Sequence, residues 1–429
     1  MPPSLAPRLA RHNIHYAWLV VGITFLTMLV TAGAMGAPGV LIVPLEKEFG
    51  WSNAEISTAL ALRILLFGLM APFAAAFLNR FGLRPVIVTA LGLIVAGFLA
   101  SLSMRSYWQL IALWGVVLGF GTGLTAMVLA ATVASRWFTA RRGLATGLLS
   151  ASNATGQLVF LPAIAALSER FGWRISLVAI CAMLALTACA VMLLMRNYPA
   201  DVGLPPYGET AIVPPPAKPA GLGSLVTTPL LALKEASREP VFWVLFATFF
   251  ICGASTNGLI QTHFVTLCAD YGIAAVGAAG LLAVIGVFDM VGTIGSGWLS
   301  DRVDNRWLLF MYYGLRGLSL LYLPFTTFTF YGLSLFAVFY GLDWVATVPP
   351  TVKLTAERFG RDKAGLVFGW IFCGHQLGAA TAALGAGLTR TALNTYLPAF
   401  FASGLLCLVA ALLALTLAKP RPKPVLAVA

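Results

Sequence analysis

The sequence predicts an all-α polytopic membrane protein, with twelve transmembrane helices in two six-helix pseudo-symmetric halves. Three observations carry this. Hydrophobic residues make up 59% of the chain and charged residues 10%, at a mean hydropathy of +0.90, a composition a water-soluble globule does not have. Apolar runs recur at about the 20-residue length a helix needs to cross a bilayer core, without the ten-residue alternation of a barrel. Finally, the chain repeats itself after 222 residues: Arg136 falls on Arg358, Gly143 on Gly365, Gly147 on Gly369, Gly156 on Gly378, Arg80 on Arg302, Arg84 on Arg306, Gly119 on Gly341 and Gly36 on Gly258. A gapless shift of that length is a tandem duplication.

Each element follows from this pattern. Helix 1 is expected over Tyr16–Leu41 and helix 2 from an N-cap at Ser52 to Phe77. Helices 3 to 6 follow over Val86–Leu102, Tyr107–Val133, Gly143–Leu167 and Ile175–Met195. Residues 1–196 form the first half. Residues 197–239 are too polar and proline-rich to span and read as a linker. Inside it, TTPLLALKEASREP predicts a short amphipathic helix capped by Thr228 with Pro229 in its first turn, lying on the membrane surface. The second half, 240–418, holds helices 7 to 12 over Val241–Leu267, Ala275–Ser300, Trp307–Phe328, Leu333–Ala356, Ala364–Leu388 and Tyr396–Ala418. Residues 419–429 are a basic tail. The glycines of helices 4 and 5 (Gly115, Gly119, Gly121, Gly123, Gly143 and Gly147) fit either close helix packing or a pliable gate.

The net charge is +12, yet its distribution reports topology. Alternate loops together with the two termini hold 20 of the 27 Lys and Arg residues, so these loops and both termini are expected in the cytoplasm. No nucleic-acid partner is implied, and the membrane is expected to be a bacterial-type inner (plasma) membrane. The basic N-terminus does not read as a cleaved signal peptide. The six cysteines form no CxxC pair and read as small packing residues, with no metal site or disulfide. No P-loop, HExxH or GxSxG motif is present, so neither an enzyme nor a cofactor is expected.

Charges deep in a span are costly, and each needs a partner or a task. Arg63 lies 11 residues past Ser52, roughly 16 Å along helix 2 and so mid-membrane. Its planar fork suits a carboxylate or sulfonate, with pairing to an aspartate as the alternative. Asp289 in helix 8 and Arg316 in helix 9 share a depth, which predicts a structural ion pair. Asp343 in helix 10 has no basic residue in its own span away from the cytoplasmic end, where Lys353 lies. Asp343 and Asp289 are the proton-carrier candidates. His263, His375, Asn153, Gln157, Asn257, Gln261 and Gln376 are candidate hydrogen-bonding groups for a substrate, and Trp344 a stacking one, each with core packing as the plainer alternative. Between helices 2 and 3, Arg80 and Arg84 mark a loop matched between helices 8 and 9 by Asp301, Arg302 and Arg306. These are the expected gate loops.

Two six-helix halves in parallel repeat, a central linker and the matched loops resemble the major facilitator superfamily of secondary transporters. Within it, WFTARRGLATGLLSASNATG resembles the helix 4–5 signature of monocarboxylate transporters, and HYAW (His15 to Trp18) stands at that family's aromatic start of helix 1. Thr293, one turn after Asp289, stands where those transporters carry arginine, and no lysine accompanies Pro38. The resemblance implies proton-linked movement of small carboxylates by a monomer. The expectation is therefore a proton-coupled secondary transporter of a small organic anion, working by alternating access. The competing reading is a proton-driven exporter of amphipathic or cationic compounds, recognised by Asp343 and Trp344. A metal cargo and a non-transporting receptor are the remaining alternatives.

Overall fold

The computed structural model describes residues 14–51, 53–215 and 221–417. The described residues pack chiefly as helices, and among them the only β contact is an isolated bridge between Phe138 and Tyr207. The first half comprises helix 1 (Tyr16–Val40), helix 2 (Asn53–Phe81), helix 3 (Leu83–Ser101), helix 4 (Tyr107–Trp137), helix 5 (Arg142–Phe171) and helix 6 (Trp173–Leu194). The second comprises helix 7 (Pro240–Asp270), helix 8 (Ala275–Ser300), helix 9 (Asn305–Tyr322), helix 10 (Phe330–Phe359), helix 11 (Arg361–Leu393) and helix 12 (Leu397–Leu415). Over the described residues eleven of these are long and apolar enough to cross a membrane. Helix 5, at 30 residues, completes the twelve. The N-cap expected at Ser52 and the basic tail lie outside the described residues.

The duplication survives in backbone detail. Gly172 (φ 83°) closes helix 5, and 222 residues later Asn394 (φ 55°) closes helix 11, both at positive φ, Gly172 in an extended form open to glycine and Asn394 in the left-handed helical form asparagine tolerates. The two halves meet along helix 2 against helix 11 and helix 5 against helix 8. Small residues set these approaches: a Cβ on Gly369 would stand 2.7 Å from Pro72 Cα, and one on Gly297 3.3 Å from the Gly143 carbonyl oxygen. The helix 4 glycines pack closely too, Gly115, Gly119 and Gly123 on helix 2 and Gly121 on helix 3.

Three helices expected to be continuous are not. Helix 4 carries a π-helical stretch at Ile111–Val117 and leaves helical geometry between Gly123 and Met127. Helix 7 is π-helical over Ala254–Gln261. Helix 10 runs from Phe330 to Asp343, breaks, and resumes at Val348. Pro349 and Pro350 explain that last break. Neither has an N–H for the carbonyls of Val345 and Ala346, and the Val348 amide turns back to the Val345 carbonyl at 2.9 Å.

The linker is more ordered than its composition suggests. Tyr207 N donates to the Trp137 carbonyl at 2.8 Å, and the Thr139 and Ala140 amides both donate to the Tyr207 carbonyl at 3.0 Å. Around this knot His15, Trp18, Phe138 and Tyr207 stack edge to face or tilted. Upstream, Asn197 Oδ1 accepts from the Arg84 amide, and the Arg136 guanidinium covers the Tyr198 ring. The WFTA segment therefore fastens the linker to the first half. The linker helix begins at Ser224, not at the predicted Thr228 cap, and Pro229 falls inside it.

Candidate functional site

Helix 10 is organised around its break. Arg316, fully buried in helix 9, donates from Nε to Asp343 Oδ2 at 2.7 Å and from Nη2 to the carbonyls of Asp343 (2.6 Å) and Trp344 (3.0 Å). Its Nη1 reaches Cys252 Sγ of helix 7 at 2.9 Å. A cation on the orphaned carbonyls at a helix C-terminus is the arrangement the peptide dipoles favour. Across the break, Asp289 Oδ1 accepts from the Val345 amide at 2.9 Å and from Thr293 Oγ1 at 2.8 Å. Ser296 Oγ donates to the Ala346 carbonyl. Asp289 Oδ2 and Asp343 Oδ1 are buried with no hydrogen-bond partner among the described residues.

This corrects two expectations. Arg316 pairs with Asp343, not with Asp289, and Asp343 has a basic partner after all, supplied by the neighbouring helix 9. Depth along a helix is one coordinate; which face each side chain occupies decides the partner. Cys252 is more than a packing residue: its sulfur accepts from Arg316, and Cys252 Sγ lies 3.4 Å from Thr347 Oγ1. Trp344 packs edge-on to Tyr340 and its carbonyl belongs to Arg316.

The first half holds one deep charge. Arg63 is buried in helix 2, and its Nε and Nη1 have no hydrogen-bond partner among the described residues. One turn on, Phe67 lines a void of about 10 Å³ with Met28, Thr31, Met35, Thr122 and Thr125. Phe67 also meets Phe372 of helix 11 edge-on, and the carbons of Gln376 fit against Gly68. His375 is buried, stacked on Phe372 and tilted against Phe249, with Gln376 Nε2 3.3 Å from its Nδ1. Gln376 Oε1 is buried without a partner among the described residues. His375 and Gln376 thus stand at the seam of the halves that also carries Arg63's helix.

Other candidates are placed differently. His263 Nε2 lies 2.7 Å from the Ala383 carbonyl and its ring packs on Tyr396, a tie between helices 7 and 11. Asn257 and Gln261 lie in the π-helical stretch of helix 7. The side chains of Asn153 and Gln157 lie outside the described residues. Among the gate-loop residues, Asp301 reaches the other half, its carboxylate lying against Gly143 at the start of helix 5. Arg302 folds over Trp298, Arg306 binds Asp304 and the Leu417 carbonyl, Arg80 donates to the Gly221 carbonyl, and the Arg84 amide is held by Asn197. Beside Asp301, a cavity of about 320 Å³ opens at the basic end of the bundle, lined by Arg141, Arg142 and Lys353 among others.

Two pseudo-symmetric helical halves with charges buried between helices match a family model: residues 23–383 and 297–428 fit that of the Major Facilitator Superfamily. The chain belongs to that superfamily. It is similar to the uncharacterized MFS-type transporter YcxA of Bacillus subtilis, 24% identical over 89% of this chain and 90% of that one. It is also similar to monocarboxylate transporter 13 of Rattus norvegicus, 27% identical over 91% and 86% of the two chains. Among solved structures the human organic anion transporter MFSD10 (TETRAN) shares the fold at a TM-score of 0.69 and 15% identity, over 93% of this chain and 99% of that one. The protein is an integral membrane transporter acting on small molecules, and not an enzyme.

Proposed function

We propose that this transporter moves a small organic anion, a carboxylate, coupled to protons by alternating access, as a monomer with both termini in the cytoplasm of a bacterial-type inner membrane. Residues 1–196 and 240–418 would rock against each other about the helix 2–11 and 5–8 seams. The observation that carries the reading is Arg63, a buried guanidinium with two nitrogens unengaged among the described residues. Such a group is costly unless an anion completes it. Its fork geometry matches a carboxylate, and the similarity to monocarboxylate transporters supports that class. Arg141, Arg142 and Lys353 at the basic mouth would draw anions toward it.

The proton belongs to the helix 10 break. Arg316 pairs with Asp343, while Asp289 is held only by the neutral Thr293 hydroxyl and the Val345 amide. Asp289 is therefore a buried carboxylate with no cation paired to it among the described residues, and one proton on its orphaned oxygen would cancel that charge. Asp343 is occupied by Arg316, which counts against its use as a binder of cationic cargo.

The test is uptake and counterflow in proteoliposomes, with carboxylates, sulfonates and lipophilic cations, with and without a pH gradient. Carboxylate flux driven by the gradient and abolished by Arg63→Gln is expected. Asp289→Asn should keep counterflow and lose gradient-driven accumulation. Cation flux that survives Arg63→Gln would overturn the reading.

A further inference from the structure

The linker helix, Ser224–Ala236, lies across the seam between helices 2 and 11 and touches both. On the first-half side, Arg80 Nη1 donates to the Gly221 carbonyl just before it, at 2.7 Å. On the second-half side, Trp370 Nε1 donates to the Pro229 carbonyl at 2.9 Å, Lys363 pairs with Glu235, and Arg358 pairs with Glu239 just after it. Pro229, Ala232 and Ala236 form its buried stripe.

Its depth can be read from helix 11. That helix has 33 residues, about 50 Å at 1.5 Å per residue, against a hydrocarbon core of about 30 Å. Roughly 10 Å then projects at each end. Trp370 is nine residues past Arg361, about 14 Å in, at the boundary between headgroups and acyl chains where Trp is favoured. A helix bonded to Trp370 lies beside the bundle at that boundary, not beneath it.

The outer face suits such a place. Leu222, Val226 and Leu230 follow one another at one-turn spacing and are 67%, 53% and 46% exposed. The same line continues into Lys234 and Arg238, both exposed. An apolar ridge with basic residues at one end is the pattern of a helix lying in an anionic membrane interface.

We infer that the linker helix is a membrane clasp: its ridge enters the bilayer boundary, Lys234 and Arg238 bind anionic lipid headgroups, and the seated helix holds helices 2 and 11 together at the basic end. Opening the transporter on that side separates what the clasp joins, so anionic lipid favours the closed seam. This does not depend on which solute is carried.

Hydrogen–deuterium exchange of the full chain in nanodiscs tests it, comparing phosphatidylcholine alone with phosphatidylcholine plus phosphatidylglycerol. Amides of residues 224–236 are expected to exchange roughly tenfold or more slowly with phosphatidylglycerol, the scale of two basic residues near an anionic surface. Lys234→Gln with Arg238→Gln should erase the difference while leaving exchange in the middle of helices 2 and 11 unchanged, which shows the variant is folded. Equal exchange of the wild-type linker helix in both discs would overturn the inference. So would a lipid effect that persists in the double variant.

Discussion

The two halves share a break in the same helix and fill it with opposite chemistry. Shifted by 222 residues, the helix 10 break at 344–347 falls on 122–125 and overlaps the Leu124–Ala126 interruption of helix 4. In the second half two prolines make the break, and Arg316, Asp289 and Ser296 occupy its freed carbonyls and amide. In the first half Val348, Pro349 and Pro350 become Ala126, Met127 and Val128. There the interruption is lined by Thr122 and Thr125 and faces a small void. The charges have no counterparts either: Arg63 falls on Ile285, Asp289 on Phe67, Arg316 on Ile94 and Asp343 on Gly121. Duplication supplied the scaffold, and divergence put a closed ionic network in one half and an open cation in the other.

The largest expected effect comes from breaking the closed network. Arg316→Met leaves Asp343 buried without its cation and should cost about 3–5 kcal/mol, read as a drop in thermal unfolding temperature in detergent. Adding Asp343→Leu should restore most of that loss, since an apolar pair of similar volume avoids the stranded charge. If the double variant is as unstable as the single one, the network is not the unit drawn above. Arg63→Met should move the other way. Removing a buried donor group that lacks partners relieves a cost of roughly 1–3 kcal/mol, so the variant should be as stable as wild type or more so. A loss as large as that of Arg316→Met would show that Arg63 has a structural partner, and the contrast between the halves would fail.

A milder test targets the break itself. Pro349→Ala with Pro350→Ala returns amide donors to the Val345 and Ala346 carbonyls and lets helix 10 run through. Transport is expected to fall roughly tenfold with unfolding temperature little changed. Unchanged flux would mean the break is only a packing accommodation.

The difference between the halves also marks what the sequence could tell. Span number and the repeat were legible because hydropathy and a fixed 222-residue offset are one-dimensional signals. The partner of Arg316 was not: Asp289 and Asp343 both lie within reach in depth, and the facing side is set by packing of four helices. The two prolines after Thr347 were a readable break signal, masked by the apolar run around them. The Tyr207–Trp137 knot had no local signal, since it joins segments whose proline-rich and basic compositions each read as loop. Arg63 was singled out by its solitude, and the structure keeps that solitude.

The smallest effect lies at the opposite end of the bundle, where the halves do agree. Glu48 and Asp270 are equivalent under the 222-residue shift, and each takes two hydrogen bonds from one arginine, Arg174 and Arg390 respectively. The partners come from different elements, helix 6 in one half and helix 11 in the other. Arg174 and the Trp173 indole hold the Glu48 carboxyl below its usual range. A carboxyl lowered in the folded state adds stability that is present in full above its unfolded pKa, near 4.3, and disappears as pH falls through the folded value. The tie is partly exposed, so its worth is below about 1 kcal/mol. Glu48→Gln should therefore lower the unfolding temperature slightly at pH 7, and the gap from wild type should close as the pH is taken below about 4. A gap that stays constant down to pH 3 would assign the effect to packing on Trp173, leaving charge out of the Glu48 tie.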